Sequence, residues 1–433
     1  MQIRNLAILG VFAATALLPG CSTTAPPVPI DSGDPDAEVR DFRIGDLTAR
    51  VQRMTPGVER DYFAGILSSR SSQADDGLRL LNSALPELRT KRPERAAIAL
   101  KTIAEAHLRS YRYREAAQTY DDLEQHFDES LRRDVSSDAA LARLLRDVPA
   151  QTVDWAGPVR LPTSKNPIGS FGSAITIGGV TEQWLLDTGA NQSVVSRSYA
   201  KRLALVPLSG VASVGSGITG RMSSLQAAVI PQFPFGGATV RNVVVLILDD
   251  ANLRVGPGPD AYQLHAILGY PVLKGLGQVT FTQGGELLAG EAHAATASVP
   301  LFMRSLTPAI ECDVDGQRLP FTLDTGASSS DFSVRYYERF AQSAASWTRR
   351  TIESGGAGGT VTHDVFAQPA VNMKVGAASV VLRDVNIVPT RTNAGLDVLF
   401  GNLGQDFVGG FKSFTLDFVK MTFSVEQAAP AVR

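Results

Sequence analysis

The feature that most restricts what this 433-residue chain can fold into is an internal duplication. The stretch "QWLLDTGANQS" (183 to 193) returns as "PFTLDTGASSS" (320 to 330), with the two aspartates 137 positions apart. The likeness runs well beyond the motif. "SAITIGGVTEQWLLDTGANQSVVSRSYAKRL" aligns with "PAIECDVDGQRLPFTLDTGASSSDFSVRYYERF", and "HAILGYPVLKGLGQVTFTQGGELLA" with "FGNLGQDFVGGFKSFTLDFVKMTFS". Asp187 precedes Gly269 by 82 positions and Asp324 precedes Gly404 by 80, so one unit is present twice and in register. Runs of Val, Ile, Leu, Phe and Thr broken by Gly, Pro and Asn make each unit a small β domain. Each reads as a hairpin with a glycine turn ("IGGV", "VDGQ"), a strand ending on Asp, a tight turn and a short amphipathic helix. The units span 152–290 and 298–426, with the break inside "GEAHAATASVP", residues 290 to 300.

The region before the repeat has a different texture. Over 37–148 Ala, Leu, Arg and Glu dominate, with apolar residues at helical spacing. "ALKTIAEAHLRSYRYREAAQTYDDLEQHF" (99 to 127) sets Leu100, Ile103, Ala104 and His107 on one helix and Ala116, Tyr120 and Leu123 on the next. This resembles a tetratricopeptide-type helical hairpin, with a looser copy upstream around Gly65, Leu81 and Ala84; a plain bundle of three to five helices fits the pattern equally well. His107 reads as a packed core histidine.

Residues 1–20 begin with a short apolar run behind an arginine, too short to span a bilayer and suited to a signal peptide. "LPGC", ending at Cys21, resembles the lipobox of bacterial lipoproteins, which implies lipidation of Cys21 after cleavage. Residues 21–36, rich in Pro, Ser, Thr and Asp, then form a tether. The expected location is the cell envelope, on the periplasmic face of the outer membrane of a Gram-negative cell, with the lipid as sole membrane contact. With Cys21 lipidated, Cys312 has no partner for a disulfide. A net charge of −2 gives no electrostatic case for nucleic acid.

The two Asp-Thr-Gly-Ala turns, each behind apolar strand residues, resemble the active site of aspartic peptidases, specifically the retropepsin-like group with both halves in one chain. The similarity covers residues 155 to 425. The fold class implied is multidomain: N-terminal all-α hairpins, TPR-like, followed by two tandem all-β retropepsin-like lobes forming a bilobal peptidase. Asp187 and Asp324 are then the catalytic pair. Two carboxyls about 3 Å apart cannot both ionise, so they share one proton and supply both an acid and a base. By the resemblance, Thr188 and Thr325 lock the turns together across the lobe interface. Gly189 and Gly326 let the backbone turn sharply and bring N–H groups to the carboxylates. "Ile267-Leu268-Gly269" and "Asn402-Leu403-Gly404" resemble the family's second signature, with Asn402 departing from the usual apolar residue. Glycine-rich flaps are expected at "VGSGITGRM" (Gly215, Gly217, Gly220) and "SGGAGGTVTH" (Gly356, Gly358, Gly359).

Ala190 and Ala327 stand where pepsin-like enzymes carry a hydroxyl that lowers the pKa of the dyad, which implies an optimum nearer mild acidity or neutrality than about pH 2. The activity implied is endopeptidase action on polypeptides of the envelope, by water and with no cofactor or metal. The helical region would recruit substrate or protein partners. The alternative is a non-catalytic envelope lipoprotein that clasps peptides between peptidase-like lobes. A further arrangement has the lobes pairing only between two copies of the chain. No His-Glu-x-x-His, Walker loop or Gly-x-Ser-x-Gly occurs.

Overall fold

The computed structural model describes residues 33–71, 74–127, 129–210, 212–215, 222–256, 261–356, 359–390 and 398–427. The stretch expected to be a signal peptide and Cys21 lie outside these residues. The described chain divides as its texture does, into helices first and strands after.

Helices α1 (Pro35–Arg40), α2 (Ile44–Val51), α3 (Val58–Ser69), α4 (Ala74–Lys91), α5 (Pro93–Arg109), α6 (Tyr113–His126) and α7 (Glu129–Leu145) pack with chain neighbours against one another. Small residues permit the close approaches. A Cβ on Gly65 would stand 2.7 Å from Leu81 Cγ, and one on Gly77 would stand 2.5 Å from Ser69 N, so α3 and α4 meet almost backbone to backbone. Tyr62, Phe63, Leu81, Ala99, Ala104 and Tyr120 fill the core. His107 is only partly buried and its Nδ1 has no partner; burial holds its pKa below the usual value.

The helical region is no separate appendage. Its core continues without a break into the first β lobe through Leu185, Val194, Leu246 and Ile267. It also grips the second lobe: the buried Arg109 guanidinium donates to the Ser305 carbonyl at 2.8 Å, Met303 N donates to the Arg70 carbonyl at 2.9 Å, and Phe42 and Ile44 pack with Ala309 and Leu399.

Each lobe is built on the same frame. In the first, the hairpin Phe171–Ile177/Val180–Asp187 closes through Gly178 (φ 57°) and Gly179 (φ 81°). In the second, Thr307–Val314/Gln317–Leu323 closes through Asp315 (φ 51°) and Gly316 (φ 78°). Two successive positive φ values form the turn whose twist matches paired strands, which is why Gly, Asn or Asp is required there. The strand Ala266–Gly269 then threads in parallel beside Val180–Asp187 and antiparallel to Ser193–Ser196. Gly401–Leu403 does the same between Gln317–Leu323 and Asp331–Phe332.

Beneath both frames a continuous sheet joins the lobes. Its strands run Val159–Pro162, Glu286–Ala289, Gln278–Thr282, Phe411–Asp417, Thr422–Gln427 and Ala297–Arg304, three from each half. Thr280 faces Thr415 at the junction, their hydroxyls 2.8 Å apart, so the approximate twofold axis of the duplication passes between them. The lobes thus pair within one chain, and pairing between two copies is not required. The strand Ala297–Arg304 starts inside the stretch read from sequence as the break.

Candidate active site

Apolar strand residues drive both aspartates to the lobe interface. Trp184, Leu185 and Leu186 are buried before Asp187, as are Phe321, Thr322 and Leu323 before Asp324. The chain then turns, and the two turns interlock. Thr188 N–H donates to Thr325 Oγ1 at 3.0 Å, and Thr325 N–H donates to Thr188 Oγ1 at 3.0 Å. Each hydroxyl donates onward into the opposite lobe, Thr188 to the Leu323 carbonyl at 2.9 Å and Thr325 to the Leu186 carbonyl at 2.7 Å. The two threonines are 0% and 2% exposed, so water cannot substitute for these bonds.

The lattice brings the carboxyls of Asp187 and Asp324 together, each packed against the turn glycine of the other lobe. Each Oδ1 also accepts two backbone N–H groups: Gly189 (2.8 Å) and Ala190 (3.0 Å) serve Asp187, while Gly326 (2.9 Å) and Ala327 (3.0 Å) serve Asp324. Burial, reinforced by the neighbouring Asp324, pushes the Asp187 carboxyl well above the usual carboxylate range. Two carboxyls arranged to hold one proton can act as acid and base together.

The glycines serve a different purpose from the sharp turn anticipated for them. Neither Gly189 nor Gly326 has positive φ. Their constraint is space: a Cβ on Gly189 would stand 2.6 Å from Asp324 Cγ, and one on Gly326 would overlap Asp187 in the same way. The second-signature glycines are equally confined. A Cβ on Gly269 would meet the Gln192 carbonyl oxygen at 2.6 Å, and one on Gly404 the Ser329 carbonyl oxygen at 2.6 Å.

Several residues of the site were not anticipated. Ser193 and Ser330 hydroxyls accept from Gly269 N (3.1 Å) and Gly404 N (3.0 Å), pinning the second signature beneath each turn. The clue was available, since both serines lie six positions after their aspartate. Ser170 donates to the Gly326 carbonyl at 2.7 Å and Gln405 Nε2 to the Thr325 carbonyl at 2.6 Å, and nothing in the repeat marks either one. Asn402 Nδ2 donates to Asp324 Oδ2 at 2.9 Å. The second lobe thus supplies a side-chain donor to the pair although Ala327 carries no hydroxyl.

The expected flaps fall on two hairpins, Ala212–Gly215/Met222–Phe235 and Thr348–Gly356/Gly359–Val375. Gly215 pairs with Met222 and Gly356 with Gly359, while Gly217, Gly220 and Gly358 lie outside the described residues. The second hairpin reaches across to the first lobe, against Asp250–Leu253 and Arg254–Val255. Cys312 is a free, fully buried thiol, and burial raises its pKa.

A family model described as aspartyl protease matches residues 173–272, from the first hairpin through the second signature of the first lobe. No curated protein matches the chain. Among solved structures, the crystal structure of Basic 7S globulin from soybean is similar at 10% identity. It covers 63% of this chain and 95% of that one, with a TM-score of 0.41. The family match supports a protease-like function for the chain.

Proposed function

We propose that the protein is an aspartic-type endopeptidase in which Asp187 and Asp324 activate water for attack on a peptide carbonyl. The observation that carries this reading is the closely apposed carboxyl pair held inside the reciprocal Thr188/Thr325 lattice. In this reading one carboxylate takes a proton from water while the other carboxyl gives its proton to the carbonyl oxygen. The tetrahedral adduct then collapses as a proton passes to the leaving nitrogen. An extended substrate lies between the lobes beneath the two hairpins, paired by backbone hydrogen bonds. The leader ending in "LPGC" and the tether behind it support a lipid-anchored enzyme of the cell envelope, with the helical region receiving substrate or partner proteins.

The test is digestion of a diverse peptide library by the chain lacking its first 32 residues. Wild type should cut. Asp187→Asn and Asp324→Asn should each reduce cutting at least a thousandfold while staying folded. Identical product patterns from all three proteins would refute the assignment and leave a peptide-binding role.

A further inference from the structure

The duplicated frame around the dyad is broken at one place, and the break is polar. Behind Asp187, Leu185 and Ile267 stand opposite each other on the parallel strands. At the same two places behind Asp324 stand Thr322 and Asn402. The strand crossing beside them repeats the change, with Val194 in the first lobe and Asp331 in the second.

The Thr–Asn pair is directional. Thr322 Oγ1 donates to Asn402 Oδ1 at 2.6 Å, which fixes the oxygen end of the amide and turns Nδ2 toward Asp324. There the amide donates to Oδ2 at 2.9 Å. Asp324 therefore accepts from Gly326 N, Ala327 N and the Asn402 amide. Asp187 accepts from Gly189 N and Ala190 N, and its counterpart neighbour Ile267 has no donor to give. A donor that cannot deprotonate favours the charged form of the carboxylate it touches.

We propose that Asn402, oriented by Thr322, polarises the dyad: it holds Asp324 as the charged member and leaves the shared hydrogen on Asp187. This rests on the assignment of the pair as catalytic. Asp324 is then the base that takes the water proton, and Asp187 the acid that protonates the substrate carbonyl. On collapse, Asp324 returns its proton to the amine nitrogen, and the diol hydroxyl returns one to Asp187. Asn402 is a positioning residue that supplies from the second signature the donor that Ala327 lacks.

Other charged groups face the same carboxylate. Asp331, pushed up to about 6 by burial, senses Asp324, with Asp406 and Arg350 close to it. The experiment therefore runs in the Asp331→Asn background as well as in wild type. The pH dependence of kcat/KM is measured on a quenched peptide selected from the library, for wild type, Asn402→Leu, Thr322→Val and Thr322→Ser. A hydrogen bond to a charged group is worth about 1.5–3 kcal/mol, so loss of the amide moves the acid limb up by about one pH unit or more. Thr322→Val should move it the same way by less, and Thr322→Ser, which keeps the hydroxyl, should not move it.

An acid limb that stays put in a folded Asn402→Leu or Thr322→Val enzyme, in either background, overturns the proposal while leaving the catalytic assignment standing. Infrared difference spectroscopy at neutral pH tests the same point without turnover. The protonated-carboxyl band must vanish in Asp187→Asn and, in Asn402→Leu, shift in frequency without losing intensity, because the hydrogen is no longer confined to Asp187. A band that survives Asp187→Asn refutes the polarity, even if wild type cuts nothing.

Discussion

Replacing Thr188 by valine, which keeps the shape and removes only the hydroxyl, isolates the interlock between the lobes. Thr188 Oγ1 is the acceptor for Thr325 N–H and the donor to the Leu323 carbonyl, at 3.0 and 2.9 Å. Both backbone groups are buried, so the substitution strands a donor and takes a hydroxyl from an acceptor. At about 1–3 kcal/mol for each unsatisfied group, the loss is about 2–6 kcal/mol. That is a large fraction of the 5–15 kcal/mol by which a domain is typically stable. The approximate twofold makes a second demand. Thr325→Val strands Thr188 N–H and takes the hydroxyl from the Leu186 carbonyl, so its cost should match that of Thr188→Val to within about 1 kcal/mol. Urea unfolding followed by tryptophan fluorescence reads both, with the midpoint expected to fall and the slope to stay constant. Thr→Ser at either site should restore most of the loss. A cost below about 0.5 kcal/mol, or a large cost on one side only, would refute the claim that these four bonds hold the lobes in register.

Gly189→Ala should lower activity by at least a hundredfold, because its Cβ would lie 2.6 Å from Asp324 Cγ and must push the carboxyls apart; retained kcat would show that the pair has room to spare. Stability should also depend on pH with a definite sign. Asp331 rises from 3.8 to about 6 mainly through burial, so the native state keeps a proton that the unfolded chain has released. Its contribution is complete below pH 3.8 and is lost as pH climbs through about 6, costing about 3 kcal/mol in all. Asp187, raised for the same reason, adds to the same downward slope. Urea titrations across this window should show that slope flattened in Asp331→Asn, and a wild-type stability that rises from pH 4 to 6 would contradict it.

The local frame was open to reading because duplication exposes it. The turn "VDGQ" needs positive φ at Asp315 and Gly316, and "IGGV" needs it at Gly178 and Gly179, so the hairpins follow from composition alone. Burial of Leu186 and Leu323 follows from their place in apolar runs before the aspartates. The glycines were visible but their reason was not. Crowding of Gly189 by Asp324 is a contact between residues 135 positions apart, and no local pattern encodes it. Docking of the helices on both lobes was hidden for the same reason, since Arg109 and Ser305 are 196 positions apart. Ser193 and Ser330 were legible by their common offset from Asp, whereas Asn402 was legible only as an exception.

That exception stands against an apolar counterpart in the first lobe. Leu185, Val194 and Ile267 belong to the apolar cluster that runs unbroken from the helices into the first lobe. The helices reach the corresponding strand pair of the second lobe too, through Ala309, the cross-strand partner of Thr322, but there Thr322 and Asn402 bond to each other and to Asp324. A face continuous with a hydrophobic core must be apolar, since a buried polar side chain without a partner costs free energy. A buried face whose polar groups bond one another escapes that cost and can hold an amide, and here the amide reaches the dyad. Introducing Thr and Asn at positions 185 and 267 should accordingly destabilise the chain far more than the reverse exchange at 322 and 402. Equal costs, measured by urea unfolding, would show that continuity with the apolar cluster does not set which lobe carries the polar pair.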